Sequence, residues 1–238
     1  MNLEGKVALI TSGGNDLGSY VASGLAAEGA KLAIFDLDSL SGEKISEKIE
    51  TEYSIQPLVI KGNLDSVKGG LDIVSSVVEQ FGTIDILVTS HGTVKEAPLT
   101  ELTIDDFMEV LNTNMRSLFL IVKAAGLVMK EKKSGSITCI SPVGGWETDY
   151  SANYCAARGG IYGFIRTVAK ELSKYNVQMN GVMLPVKPYT VKDIWSTFTS
   201  PFPLGCLTGL KDISSLAAFL SSDQSRIITG QIIGEPWV

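Results

Sequence analysis

Short runs of consecutive apolar residues alternate along this chain with longer stretches in which apolar residues recur every three or four positions. "KVALIT" (6 to 11), "KLAIFD", "QPLVIKGN", "IDILVTS", "GSITCIS" and "VQMNGVMLP" are runs of the first kind. Each is continuous enough to be a strand buried on both faces. Between them, "LGSYVASGLAAEGA", "SGEKISEKIETEY", "VKGGLDIVSSVVEQFG", "DDFMEVLNTNMRSLFLIVKAAGLVMKEKK" and "ANYCAARGGIYGFIRTVAKELSKY" carry the helical period. Gly29 stands where the first helix needs a positive φ to end. The tail "DISSLAAFLSSDQSRIITGQIIGEPWV" adds a helix and a last strand. Strand and helix in strict alternation imply right-handed crossovers and a parallel sheet covered on both faces. The pattern predicts one doubly wound α/β domain over residues 1 to 238, with ligand chemistry at the carboxyl ends of the strands.

The bulk numbers agree with that architecture and narrow the function. The chain has 238 residues, 45% hydrophobic and 19% charged, with 24 glycines. That length buries a substantial core without disulfides or metals. A net charge of −6 offers no basic footprint for nucleic acid or an anionic membrane, and no apolar run reaches spanning length, so small molecules or proteins are the expected partners. The opening "MNLEGKVALIT" lacks the length and cleavage pattern of a signal peptide. Three widely spaced cysteines, Cys139, Cys155 and Cys206, fit reduced thiols in the cytoplasm. With one histidine, His91, and no CxxC pair, no metal site is expected.

The candidate chemistry lies in "KVALIT" with its glycine turn, "DILV" before a second turn, Asn114 in the long helix, Ser141 with Tyr154, "ANYCAA", "VQMNGV" and "ITGQ". On these residues the chain resembles the short-chain dehydrogenase/reductase family over nearly its whole length, which implies a Rossmann-like sheet. In that family the residue matching Ser141 orients the substrate oxygen and that matching Tyr154 transfers its proton. A lysine four positions on lowers the tyrosine pKa and binds the nicotinamide ribose, and the residue matching Asn114 holds a relay water. The resemblance also implies that Thr11, Gly13, Gly14, Gly18, Asp36 and Asn63 stand at the dinucleotide positions, with Asp36 favouring NAD over NADP. Asp36 is open to a second reading, as the cap of the next helix.

Several of these positions depart from the family pattern. In "TSGGNDLG" (11 to 18), Ser12 and Asp16 replace two of the three glycines that let a backbone approach the pyrophosphate. A carboxylate about 5 Å from a phosphate, at an effective dielectric near 20, costs roughly 3 kcal/mol, about two decades of affinity. Asp16 can equally cap the helix that begins at Leu17. "TSHG" (89 to 92) replaces Asn-Asn-Ala-Gly and sets His91 beside the expected cofactor channel, in a structural or a catalytic role. Asn63 replaces an aspartate, and Val186 replaces a glycine after Pro185, where a branched side chain crowds the nicotinamide space. Arg158 replaces the lysine. Four positions along a helix share a face, so Arg158 and Tyr154 are expected to be neighbours, but arginine stays charged and does not pass a proton.

Three readings follow. The first is a pseudoenzyme that binds no NAD but keeps the fold and oligomer surfaces and supports a homologous active subunit, or itself, in a dimer-of-dimers tetramer. The chain resembles the inactive subunits of hetero-oligomeric dehydrogenases such as one acting on a hydroxybenzylsuccinyl-CoA. Small residues Ala152, Ala156, Ala157, Gly159, Gly160 and Gly163 on the helix over 152 to 174 allow close approach of a partner helix, or pack on the chain's own sheet. The second is an NAD-dependent dehydrogenase with an atypical Ser-Tyr-Arg site. The third resembles the halohydrin dehalogenases, which use a serine, tyrosine and arginine spaced as Ser141, Tyr154 and Arg158 without NAD. Asp16 stands against it, because that family has an aromatic there. Tyr189, Trp195 and Phe198, where relatives carry a substrate lid, suit a pocket or an interface.

Overall fold

The computed structural model of the chain describes residues 1–14, 16–142, 151–184 and 210–234. The strands are β1 (Val7–Thr11), β2 (Lys31–Asp36), β3 (Leu58–Lys61), β4 (Ile86–Thr89), β5 (Gly135–Pro142), β6 (Val177–Leu184) and β7 (Ile232–Ile233). They form one parallel sheet in the order β3-β2-β1-β4-β5-β6-β7. The helices are α1 (Asp16–Ala27), α2 (Ser39–Tyr53), α3 (Val67–Phe81), α4 (Ile104–Leu111), α5 (Ser117–Lys132), α6 (Ala152–Ser173) and α7 (Leu210–Ser221).

The reason the strands read as unbroken apolar runs is visible in β1, where all five residues are buried. Ala8 and Ile10 face a layer built from α1, α2 and α7 through Val21, Leu25, Ile49 and Ala217. Val7 and Leu9 face the opposite layer, with Ile73 and Val77 of α3, Ile121 of α5 and Ile165 of α6. Alternate side chains therefore serve two cores. The chain runs outward from β1 to β3 and then returns to place β4 against β1, so the switch point falls between them, with Thr11 and Thr89 in register at its mouth.

Helix ends follow local chemistry. Ser66 accepts from Gly69 N at 3.1 Å to cap α3, and Gly82 closes it with φ +81°. Gly29 has the positive φ its position requires, +89°. Asp38, not Asp36, caps α2, accepting from Leu40 N at 3.2 Å and Ser41 Oγ at 2.8 Å. The capping reading of Asp36 is thereby set aside.

The single long helix expected over "DDFMEV…KEKK" is continuous from Ile104 to Lys132, but α4 passes into α5 through a π-helical segment at Asn112–Arg116, with π-type bonding from Ser117 N to Asn112 O. Side chains divert the carbonyl ladder there. Asn114 Nδ2 donates to Val110 O at 2.8 Å, Thr113 Oγ1 to Glu109 O at 2.9 Å, and Ser117 Oγ to Thr113 O. Such competition with the backbone widens a helix locally.

Ser12 occupies the left-handed region, φ +52°, at a position where the family pattern has glycine. An L-residue there costs about 1–2 kcal/mol, of which glycine's greater unfolded freedom returns about 0.5–1 kcal/mol. Ser12→Gly is therefore expected to stabilise the chain by about 0.5–1 kcal/mol. A urea midpoint that falls in the variant would show that the Ser12 side chain contributes more than its backbone strain costs.

Candidate functional site

The carboxyl ends of β1, β2, β4 and β5 bring Thr11, Asp36, Thr89 and Ser141 to one edge of the sheet. The turn after β1 is closed by its glycines. A Cβ on Gly13 would lie 2.7 Å from Ile34 Cγ2, and one on Gly14 would lie 2.6 Å from Ser41 Cβ and 2.9 Å from Asp36 Oδ2. Gly14 N instead donates to Asp36 Oδ2 at 2.9 Å, and Asp38 N donates to Asp36 Oδ1 at 3.0 Å. Asp36 thus ties the end of β2 to the turn. Gly18 lets α1 press on the turn, since a Cβ there would stand 2.1 Å from Ser12 O.

Asn63 is exposed and satisfied locally, its Nδ2 donating to Asp65 Oδ2 at 2.6 Å and its Oδ1 accepting from Asp65 N at 2.7 Å. Asp16 is the first residue of α1 rather than a cap preceding Leu17. Its side chain, together with Val186, Cys206 and the segment carrying Tyr189, Trp195 and Phe198, lies outside what is described.

His91 joins the turn to α5. Its Nδ1 is 2.7 Å from Thr11 Oγ1 and its Nε2 is 2.8 Å from Ser117 Oγ. The direction of these bonds is fixed at both ends. Ser117 spends its proton on Thr113 O, so Ser117 Oγ accepts from His91 Nε2–H. Thr11 Oγ1 accepts from Ser90 N at 3.3 Å and is free to donate to His91 Nδ1. Each hydrogen has one acceptor only if the imidazole is neutral with its proton on Nε2. Burial, and next the Arg158 charge, push its pKa down to about 4. The structural reading of His91 accounts for both nitrogens.

Below this strut, Ser141, Asn114, His91, Thr89, Cys139 and Arg158 line one small cavity. Arg158 is 9% exposed and its guanidinium carbon lies 4.5 Å from the centre of the Tyr154 ring, a cation–π contact. Its Nη2 donates to Asn114 Oδ1 at 3.1 Å. Asn114 Nδ2 donates to Thr93 O and Val110 O, both at 2.8 Å. Gly92 is required at this junction, for a Cβ would lie 2.4 Å from Asn114 Oδ1 and 2.9 Å from Arg158 Nη2. Arg158 thus meets both Tyr154, as their spacing implies, and Asn114, and borders the same cavity as Ser141. Ser117 was not foreseen, although three positions beyond Asn114 it shares that residue's helix face.

Tyr154 is positioned from below. Tyr154 N donates to Asn153 Oδ1 at 2.7 Å, and Asn153 Nδ2 donates to Lys95 O at 3.0 Å. Lys95 Nζ in turn bonds Asp106 Oδ1 at 2.8 Å and Glu109 Oε2 at 2.5 Å on α4. Among the described residues no cluster of metal-binding side chains occurs, and no helix is long and apolar enough to cross a membrane.

Comparison with known proteins finds the chain similar to oxidoreductases. A family profile described as enoyl-(acyl carrier protein) reductase matches residues 14–234. The chain is 30% identical to the 3-oxoacyl-(acyl-carrier-protein) reductase FabG of Thermotoga maritima, over 98% of this chain and 97% of that one. It is 28% identical to the FabG of Escherichia coli, over 98% and 96%. Among solved structures, NAD+-bound xylitol dehydrogenase superposes with TM-score 0.88 at 25% identity, covering 98% of each chain. Levodione reductase superposes with TM-score 0.89 at 26% identity, covering 97% of this chain and 96% of its own.

Proposed function

The chain belongs to the short-chain dehydrogenase/reductase family, and we propose that within it this chain is a catalytically degenerate subunit that supports an active homologous partner in an NAD-dependent alcohol dehydrogenase. The observation that carries this reading is the state of Asn114. Both of its N–H donors are spent on backbone carbonyls, and its carbonyl oxygen accepts from Arg158. A relay water at this asparagine would compete with a fixed cation that cannot itself exchange protons. The ring of Tyr154 is covered on one face by that same cation.

Support for a partner comes from α6. Ala152, Ala156, Gly159 and Gly163 are exposed along one stripe, and nothing lies within 4 Å of a Cβ built on Gly159 or Gly163. Ala157 is buried and Gly160 packs on Met115, so the small residues divide between the chain's own core and an open face. Phe119 of α5, 45% exposed, meets Phe164 of α6 edge to face, with ring centroids 6.4 Å apart. A helix from a second subunit fits there because small side chains permit close backbone approach.

The purified chain is expected to show no heat on titration with NADH and no cofactor-linked absorbance change with 3-oxoacyl thioesters or secondary alcohols. Adding a homologous subunit with an intact Tyr-x-x-x-Lys motif is expected to yield a mixed oligomer with that activity. Micromolar NADH binding and turnover by this chain alone would overturn the reading. They would favour the other one that a specific observation supports, an active NAD-dependent dehydrogenase, since Asp36 still stands at the end of β2 bonded to the turn at Gly14.

A further inference from the structure

Two buried asparagines reach the same strap of backbone. Residues 90–98, which lead from β4 towards α4, carry no helix or strand, yet two carbonyls among them, two positions apart, accept from side chains on other elements. Asn114, 1% exposed, gives its Nδ2 to Thr93 O at 2.8 Å, and Asn153, fully buried, gives its Nδ2 to Lys95 O at 3.0 Å. One short stretch of chain serves both.

The far end of each amide leads into the site. Asn153 Oδ1 accepts from Tyr154 N at 2.7 Å, which fixes the amide's orientation, since a flip would set its oxygen against the Lys95 carbonyl. Asn114 Oδ1 accepts from Arg158 Nη2 at 3.1 Å. The strap is therefore tied to both members of the Tyr154 and Arg158 pair.

The side chain of Lys95 ties the strap to a third element. Its Nζ reaches α4 and bonds Asp106 Oδ1 at 2.8 Å and Glu109 Oε2 at 2.5 Å. Three positions apart, these carboxylates share a helix face, so one ammonium meets both. Asp106 is itself held, because its Oδ2 accepts from Thr103 Oγ1 at 2.6 Å and Thr103 caps α4. Lys95 thus presents its carbonyl to α6 and its ammonium to α4. We propose that Lys95 is a positioning residue for the site: clamped on α4, it fixes the strap whose carbonyls hold Asn114 and Asn153, and through them Arg158 and Tyr154.

The clamp is open to solvent, whereas the bonds it governs are not. The Lys95, Asp106 and Glu109 side chains are 39%, 38% and 55% exposed, so added salt screens their attraction. Ionic strength therefore acts on the buried site through Lys95. This inference does not depend on which subunit carries out hydride transfer, because NADH titration decides that question and the strap decides this one.

The test is hydrogen exchange at the side-chain amides of Asn114 and Asn153, followed by NMR in the full chain labelled with 15N-asparagine. In Lys95→Met both are expected to exchange about fivefold faster, in excess of any change at the backbone amides of β1, which report general stability. Lys95→Arg is expected to restore protection, because a guanidinium can still meet both carboxylates. Raising sodium chloride from about 0.05 to 0.5 M is expected to speed both about twofold in the unaltered chain and to leave Lys95→Met unchanged. A response by one asparagine alone, or by both only in step with β1, would overturn the proposal. Equal exchange at the two salt concentrations in the unaltered chain would do the same, and that result needs no variant to fold.

Discussion

Gly18→Ala is expected to lower folding stability by about 3 kcal/mol or more, the upper part of the range for overpacking a tight interior. The added Cβ would stand 2.1 Å from Ser12 O, 2.7 Å from Gly13 Cα and 2.8 Å from Ser12 C. All three are backbone atoms. No rotamer change relieves the contact, so α1 must lift from the turn or the turn must open, and either movement disturbs the bond from Gly14 N to Asp36. Gly82→Ala is the matched control. Its φ of +81° imposes backbone strain, but nothing lies within 4 Å of its Cβ, so it is expected to cost only about 1 kcal/mol. Urea unfolding of the two variants tests the distinction. Equal losses would mean that the packing of α1 on the turn is softer than its geometry implies.

Acid is expected to remove about 3 kcal/mol of stability through His91 alone, from a pKa near 4 folded and 6.5 unfolded. The folded value is depressed, so the unfolded chain binds the proton more readily. This contribution is complete above about pH 6.5 and is lost as pH falls from there towards 4. The cause is burial first and the Arg158 charge second. Protonation would also place a hydrogen on Nδ1, which now accepts from Thr11, and break the one-directional chain from Ser90 N to Thr113 O. The protein has a single histidine, so no other imidazole titrates in the window above the carboxylates. Urea unfolding between pH 7 and 5 should therefore slope downward in the native chain and flatten in His91→Gln. An imidazole that titrates near 6.5 by NMR would sink the expectation.

Much of the candidate site was legible because the relevant relations are local. Tyr154 and Arg158 sit one helical turn apart, and the ring-to-guanidinium contact follows from that period. Gly18 was recognisable from its place in the turn, and Gly29 from its place after a helix. Less local relations were read less well. The sequence left Asp36 with two roles, and only the position of Asp38 at the start of α2 excludes the capping one. The π-helical segment between α4 and α5 was not foreseen, because Thr113, Asn114 and Ser117 are compatible with an ordinary helix until their side chains are seen taking backbone carbonyls. Ser12 gave no sign of its left-handed backbone beyond standing where relatives have glycine.

The amino-acid sequence by itself determined the doubly wound architecture and which strand ends hold the candidate site residues. Burial of apolar surface is non-directional, so it is written into the chain as a period, continuous in strands covered on both faces and three-to-four in the helices. Tertiary structure alone decided the hydrogen bonds that give the site its character. His91 meets a threonine 80 positions away, and Arg158 meets an asparagine 44 positions away. Those bonds are directional and fail within a fraction of an ångström, and that placement is set only when strand register brings β1, β4 and β5 together beside the wide turn of the helix that carries Asn114.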